Sequence, residues 1–312
     1  MMNNFTLRTL QDAFAYFADP QRCVDYVVAM RWSDGKVACP TCGSEAVTWL
    51  PTRFLYQCKG RHPKRQFSVK VGTLMEDSSI PLGKWLIVMW MISSCRNGIS
   101  SYEVERTVGV GHKGAWFMLH RLREGMQDGM GTLSGVVEAD ETYVGGKIKN
   151  KHVKARKQSK HHDKTPVFGM VERGGRVIAG VPESASAKAI LPMITENVEP
   201  KSTVITDAHS IYDMVRWQGK SFTHETINHH EDAFKVGRVH TNTIENFWSC
   251  LKRTLKGTYV SVSPRHLNAY VGEQAFRFNV RKGFTEQQRG IVLLNGIQGK
   301  RLTYKELIGR NV

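Results

Sequence analysis

Val136-Val-Glu-Ala-Asp-Glu-Thr-Tyr-Val144, closed by Gly145-Gly146, is the stretch on which the fold turns. β-Branched and aromatic residues are interleaved with acids and the glycine pair ends the run, so it reads as a strand. Alternation sets Glu138 and Asp140 on one face of that strand and Glu141 on the other. Downstream, 166–171 and 177–181 are two more strand-like runs joined by a turn at Arg173-Gly-Gly175. Residues 186–198 then have helical spacing, 202–207 form a short buried strand, 209–217 a helix and 222–227 another strand, before a long helix starts near Asn242. A three-strand meander followed by alternating helices and strands predicts an α/β domain, a mixed sheet with helices on its faces.

Three acids fall at the ends of these elements: Asp140 on the first strand, Asp207 closing the fourth, and Glu245 in the first turn of the late helix. Carboxylates brought together repel one another unless cations lie between them. Hard oxygen ligands suit Mg²⁺ or Mn²⁺, and two such ions can clamp the attacking and leaving oxygens of a phosphodiester. Each acid also has an ordinary structural reading: a strand-edge carboxylate for Asp140, a helix N-cap for Asp207, and a capping-box partner of Asn242 for Glu245. The late helix carries two stripes. Ile244, Phe247, Trp248, Leu251 and Leu255 form an apolar one, while Glu245, Ser249, Lys252 and Lys256 form a polar one. A carboxylate followed by lysines on one exposed face would set phosphate-binding charge beside a metal ligand.

Charge points the same way. The 312 residues hold 44 Lys and Arg against 28 Asp and Glu, a net charge of +16. Such a surplus makes nucleic acid the first partner to consider. Much of it is local: 147–164 carries eight basic and one acidic residue, and 235–282 carries nine and two. The longest apolar run, Trp85 to Ile92, is far too short for a membrane span, and the opening residues lack the apolar core of a secretory signal. Membrane, secreted and disordered classes are therefore not expected.

Nearer the N-terminus, Cys39-Pro-Thr-Cys42 is followed after fifteen residues by Cys58-Lys-Gly-Arg-His62. C-x2-C…C-x3-H supplies four ligands in two knuckles, the pattern that closes a tetrahedral structural Zn²⁺ site, and strand-like runs flank it. Cys23, Cys95 and Cys250 fit no spacing pattern and read as free thiols. Residues 7–32 read as a helix, 36–72 as the ribbon and 82–95 as a buried helix. A capping box at Ser100–Glu103 opens another helix that stops at 108–111, and a further helix runs from His112 to about Met126 with Ala115, Leu119, Leu122 and Met126 on one stripe. Helix, glycine turn and helix suggest a helix-turn-helix whose second member carries Lys113, His120, Arg121 and Arg123. A plain helical hairpin packed on the core fits as well.

At this point the chain resembles the DDE-superfamily transposases of bacterial insertion sequences that carry a zinc ribbon. The resemblance covers nearly the whole chain. It lies in Met30-Arg-Trp-Ser-Asp-Gly35, Cys39-Pro-Thr-Cys-Gly-Ser44, Gln66-Phe-Ser-Val69, Ile80-Pro-Leu-Gly-Lys-Trp85, Asp140-Glu-Thr-Tyr-Val-Gly-Gly-Lys147, Ile205-Thr-Asp-Ala208 and, above all, His240-Thr-Asn-Thr-Ile-Glu-Asn-Phe-Trp248 through Lys252-Arg253. It implies an RNase H-like core with Asp140, Asp207 and Glu245 as the metal-binding triad and Lys252 as the trailing lysine, and it selects Asp140 over Glu138 and Glu141, which are then expected to be dispensable. One departure is that relatives often end the ribbon with a second C-x2-C, whereas Arg61 stands there and His62 follows. The implied activity is cleavage of transposon ends and transfer of the 3′-OH strands to target DNA. The implied partners are double-stranded DNA, as terminal inverted repeats and target, and further copies of the chain in the synapse, within a bacterial cytoplasm at the nucleoid. The expected domains are 1–75 (helix and ribbon), 76–134 (helical DNA-binding region), 135–285 (catalytic core) and 286–312 (tail). A nuclease that does not join, or a zinc-ribbon regulator without chemistry, are the rival classes.

Overall fold

Thr9 and Asp12 close a reciprocal capping box that starts helix α1 (Leu10–Phe17). The computed structural model describes residues 7–127, 131–145, 164–212, 222–227 and 240–309. The single helix expected over 7–32 is two, because Asp19-Pro20 is itself a start signal. Asp19 accepts the Gln21 amide at 2.8 Å and Pro20 begins α2 (Pro20–Arg31). A three-stranded antiparallel ribbon follows, β1 (Val47–Leu50), β2 (Leu55–Cys58) and β3 (Gln66–Phe67), in that order. Its small core holds Val37, Cys39, Cys58 and Phe67, with Tyr56 stacked on Phe67. In α3 (Leu82–Ser94) every residue from Trp85 to Ile92 is buried, so the apolar run is a central helix of its unit. Among the described residues no helix is long and apolar enough to cross a membrane. Then α4 (Ser101–Val108) ends at Gly109 in the left-handed region, and α5 (His112–Gly125) follows. This unit comprises Met1–Asp128 and Lys282–Val312.

The second unit, Gly129–Arg281, is the α/β domain. It runs β4 (Val136–Val144), β5 (Thr165–Glu172), β6 (Val177–Gly180), α6 (Ala187–Asn197), β7 (Thr203–Asp207), β8 (Thr223–Ile227), α7 (Asn242–Thr254) and α8 (Leu267–Asn279). The sheet order is β6-β5-β4-β7-β8, with β4, β5 and β6 antiparallel and β4, β7 and β8 parallel. This is the mixed sheet of an RNase H-like core. Alternation along the strands feeds two layers. Val137, Ala139, Phe168, Met170 and Val204 pack with Ile190 and Ile194 of α6. On the other face Val167, Val171 and Val177 pack with Ile244, Phe247, Leu251, Val271 and Phe278 of α7 and α8. After α7 the chain continues through a π-helical turn, Leu255–Tyr259. Of the helix expected over 209–217, the turn Ser210–Tyr212 is seen, and the rest lies outside the described residues. The basic stretch 147–163 also lies outside them.

The segment from 286 onward, read from sequence as a tail, forms α9 (Glu286–Gly296) and α10 (Tyr304–Ile308) of the first unit, each started by a capping box. Helix α9 packs against α5 with no room for a side chain at their closest point. A Cβ on Gly296 would collide with the Gly125 carbonyl.

Candidate active site and zinc centre

The four predicted zinc ligands converge. The ligand atoms of Cys39, Cys42, Cys58 and His62 all lie within 4.8 Å of one another. Cys39 Sγ is 3.5 Å from His62 Nε2, and Cys42 Sγ is 3.6 Å from Cys58 Sγ. The surroundings fit a cation. Pro63 O can only accept, so the 2.7 Å contact places the proton on His62 Nδ1 and turns the Nε2 lone pair toward the sulfurs. The Gly60 amide donates to Cys58 Sγ at 3.2 Å. Burial pushes the Cys39 thiol up, but the Cys42 and Thr41 amides and the neighbouring thiols outweigh it and bring it to about 7, as a metal thiolate needs. The residues therefore suit a structural Zn²⁺ held by three thiolates and one imidazole.

The acids of the second unit are assembled by the sheet and by α7. β4 and β7 run parallel with Glu138 opposite Ile205, so two residues further on Asp140 and Asp207 reach the same level on adjacent strands. Asp207 Oδ1 accepts the His209 amide at 3.1 Å, a local turn just ahead of Ser210–Tyr212. Asp140 Oδ2 accepts the indole N–H of Trp248 at 2.9 Å, tying β4 to α7. The ring has room because Asp140 pairs with Gly169 on β5. A Cβ at Gly169 would stand 2.7 Å from Trp248 Cη2 and 3.0 Å from Cζ2. Burial raises the Asp140 carboxyl, the Glu141 and Asp207 charges add to it, the Trp248 N–H opposes, and the result is about 7.

Glu245 is exposed one helical turn before Trp248. Its expected capping box with Asn242 does not form, since the helix starts one residue earlier than that motif requires. Thr241 is the N-cap, and its hydroxyl donates to Glu245 Oε1 at 3.1 Å. Lys252 is exposed further along α7, and Lys256 is exposed in the π-helical turn that follows it. Among the described residues the three acids do not form a set as tight as the zinc ligands.

The two other acids of β4 are engaged elsewhere. Glu141 accepts from the buried Tyr212 hydroxyl on the α6 side of the sheet. Glu138 is fully buried and bonded to Arg173, Thr243 and Ile244. Trp248, Glu138 and Arg173 are the residues that sequence reasoning missed. Alternation already put Glu138 on the Asp140 face, and that was the available signal. In the first unit, His120, Arg121 and Arg123 of the expected recognition helix are buried, at 2%, 8% and 1% exposure. Arg121 donates to the carbonyls of Leu302 and Glu76, so it ties the unit together, and Lys113 alone of the four is exposed.

Comparison with known proteins matches residues 132–279 to the ISXO2-like transposase domain and residues 19–60 to the transposase zinc-ribbon domain. A Halobacterium salinarum protein described as an uncharacterized protein in transposable element ISH50 is 26% identical over 82% of this chain and 89% of its own length. An uncharacterized transposase-like protein of Haemophilus influenzae is 36% identical over 32% of this chain and 76% of its own length. A chain of a simian T-cell lymphotropic virus intasome complex has a TM-score of 0.29 at 12% identity, over 62% of this chain and 65% of that one, a likeness too slight to argue from. With its ribbon ligands gathered, its mixed sheet in place and both domain patterns matched in order, the chain belongs to the ISXO2-like transposases that carry a transposase zinc ribbon.

Proposed function

We propose that this transposase cleaves transposon ends and transfers the freed 3′-OH strands to target DNA, with Asp140, Asp207 and Glu245 holding two Mg²⁺ or Mn²⁺ ions and Lys252 on a substrate phosphate. The observation that carries this is the setting of Asp140. It is level with Asp207, tied by Trp248 to the helix that bears Glu245, and kept near pKa 7 by burial and by neighbouring negative charge. A divalent cation relieves both of those costs, which is why such a site favours one. When bound, the ions would activate the attacking oxygen and neutralise charge on the leaving oxygen. The chain's own work is positioning. Trp248 fixes one Asp140 oxygen, the Asp207 turn fixes another carboxylate, and the exposed Lys252 of α7 and Lys256 of the turn after it offer charge to the DNA backbone. In-line displacement at phosphorus requires no serine or tyrosine nucleophile.

The partners are then double-stranded DNA, both terminal inverted repeats and target, and other copies of the chain in the synapse, acting at the bacterial nucleoid in the cytoplasm. We assign end binding to 1–75 and 76–134 and chemistry to 135–285. The net charge of +16 supports a polyanionic partner. A labelled transposon-end duplex incubated with plasmid and Mg²⁺ tests the proposal. Wild type is expected to nick and join, and Asp140→Asn and Asp207→Asn to do neither while binding DNA near normally. Nicks without joined product would identify a nuclease. End binding without either product would identify a regulator.

A further inference from the structure

We infer that Glu138 is a positioning residue for the catalytic carboxylates: it fixes the first turn of α7, and with it Glu245, against the strand that carries Asp140. The inference rests on the proposed metal-binding role of Asp140, Asp207 and Glu245. A helix begins with N–H groups that have no partner within it. On α7 the N-cap Thr241 makes no side-chain cap, and the partner comes instead from another element. Glu138 Oε2 accepts the Thr243 amide at 2.8 Å and the Ile244 amide at 3.1 Å. Its Oε1 accepts Arg173 Nε at 2.9 Å and the Thr243 hydroxyl at 3.0 Å, and His240 Nδ1 lies 3.3 Å away. Arg173 also donates to the His240 carbonyl at 2.9 Å, so β4, the β5–β6 turn and the approach to α7 are joined at one fully buried carboxylate.

The placement gives this cap its consequence. Ile244, whose amide Glu138 grips, is the residue before Glu245, and Glu138 itself is two residues before Asp140 on the same face of β4. One carboxylate therefore sets where Glu245 stands relative to Asp140. Glutamine is a poor replacement. Turned one way its NH₂ would face the two backbone N–H groups, and turned the other way it would face Arg173 Nε–H, with the Thr243 hydroxyl and His240 Nδ1 as the acceptors in reach. This proposal departs from the sequence-based expectation that Glu138→Gln retains substantial activity.

The test compares Glu138→Gln, Glu138→Asp and Arg173→Gln in the full chain, with Mn²⁺ alone as the probe. Binding is followed by the loss of free-ion EPR signal and backed by amide hydrogen exchange, zinc content and DNA-end affinity. Faster exchange at Thr243 and Ile244 is expected, together with Mn²⁺ binding weakened about 10–100-fold, the range of lost supporting contacts at metal sites. Zinc content and end affinity should be unchanged. Arg173→Gln separates positioning from simple charge. Removing a cation near the site should tighten Mn²⁺ binding electrostatically, whereas loss of the clamp weakens it. Should Glu138→Gln fail to fold, Glu138→Asp, which keeps the charge one methylene short, is expected to show the same weakening. Wild-type Mn²⁺ affinity in Glu138→Asp and Arg173→Gln, alongside lost binding in Asp140→Asn, overturns this inference alone. Retained binding in Asp140→Asn overturns the metal-site proposal and the inference with it.

Discussion

A side chain at Gly60 would press on three of the ligands: its Cβ would lie 3.3 Å from both Cys42 Sγ and Cys58 Sγ, and 3.4 Å from His62 Cδ2, so the ligands would have to give by a few tenths of an ångström. Gly60→Ala should therefore lower zinc affinity about 10-fold or more by crowding the ligands, read by chelator competition. The cysteines outside the site behave differently. Burial, with help from Asp19, pushes the Cys23 thiol up to about 12, so chelation should expose Cys42 to alkylation at pH 8 and leave Cys23 unmodified. At Asp140 the folded value of about 7 stands above the ordinary 3.8, so between those limits the folded chain holds a proton that the unfolded chain has lost. The sign follows: stability of the magnesium-free protein falls as pH rises from about 4 to about 7, and the contribution is intact only below that window. A cation competes with that proton, so Mn²⁺ binding should tighten across the same interval and level off above it. Asp140→Asn should abolish the tightening, which calorimetric titration at several pH values can follow. The zinc ligands were legible in the sequence because they sit in two short knuckles whose spacing is their geometry. Glu138 was not, because its partner, the Ile244 amide, is 106 residues away and a backbone N–H leaves no mark in a sequence.

At the scale of elements, α7 is held at both ends by buried charge. Its C-terminal side runs into the π-helical turn, where Glu273 of α8 accepts from Arg277 and Tyr259, and Gln274 Oε1 accepts from Thr254 at 3.1 Å and from Arg277 at 3.0 Å. Glu273 is fully buried and Arg277 nearly so. Arg277→Met would leave that carboxylate without its cation, at a cost of about 3–5 kcal/mol, whereas Glu273→Leu with Arg277→Met should recover most of the loss. Urea unfolding monitored by hydrogen exchange at the amides of the second unit's sheet checks both. The succession of strands along the chain was readable from the apolar runs, and Asp140 lies on the first of the domain's strands and Asp207 at the end of the fourth, as expected. The helices were less so. Continuous apolar spacing across α1 and α2 hides the Asp19-Pro20 start that divides them. The basic residues of α5 read as surface because charge ordinarily means solvent, while Arg121 directs its donors to carbonyls, one of them 181 residues along the chain.

Over the whole molecule, one unit gathers thiolates and an imidazole around a zinc position and the other gathers carboxylates on a sheet, within a chain whose net charge is +16. The acids come from three elements spread over more than a hundred residues. Spacing alone could not join them, and the family pattern did. The sheet register then supplies a physical reason for Asp140 and Asp207 to meet, and Trp248 supplies one for α7 to lie beside them. The triad assignment turns most on Glu245, because the hydrogen bond it accepts from the Thr241 hydroxyl is one that a merely structural residue would also have. Glutamine keeps the acceptor oxygen that Thr241 needs, so a structural Glu245→Gln would be nearly silent, within the small range of a cap contact, about 0.5–2 kcal/mol. The deciding measurement is strand transfer of a labelled transposon end by Glu245→Gln in Mg²⁺, at an enzyme concentration that saturates end binding. The expected result is a folded, zinc-loaded, DNA-binding protein with joining lowered about 100–1,000-fold, the size of losing one source of transition-state charge stabilisation, here the ion that Glu245 would hold. Joining within a few-fold of wild type would contradict it.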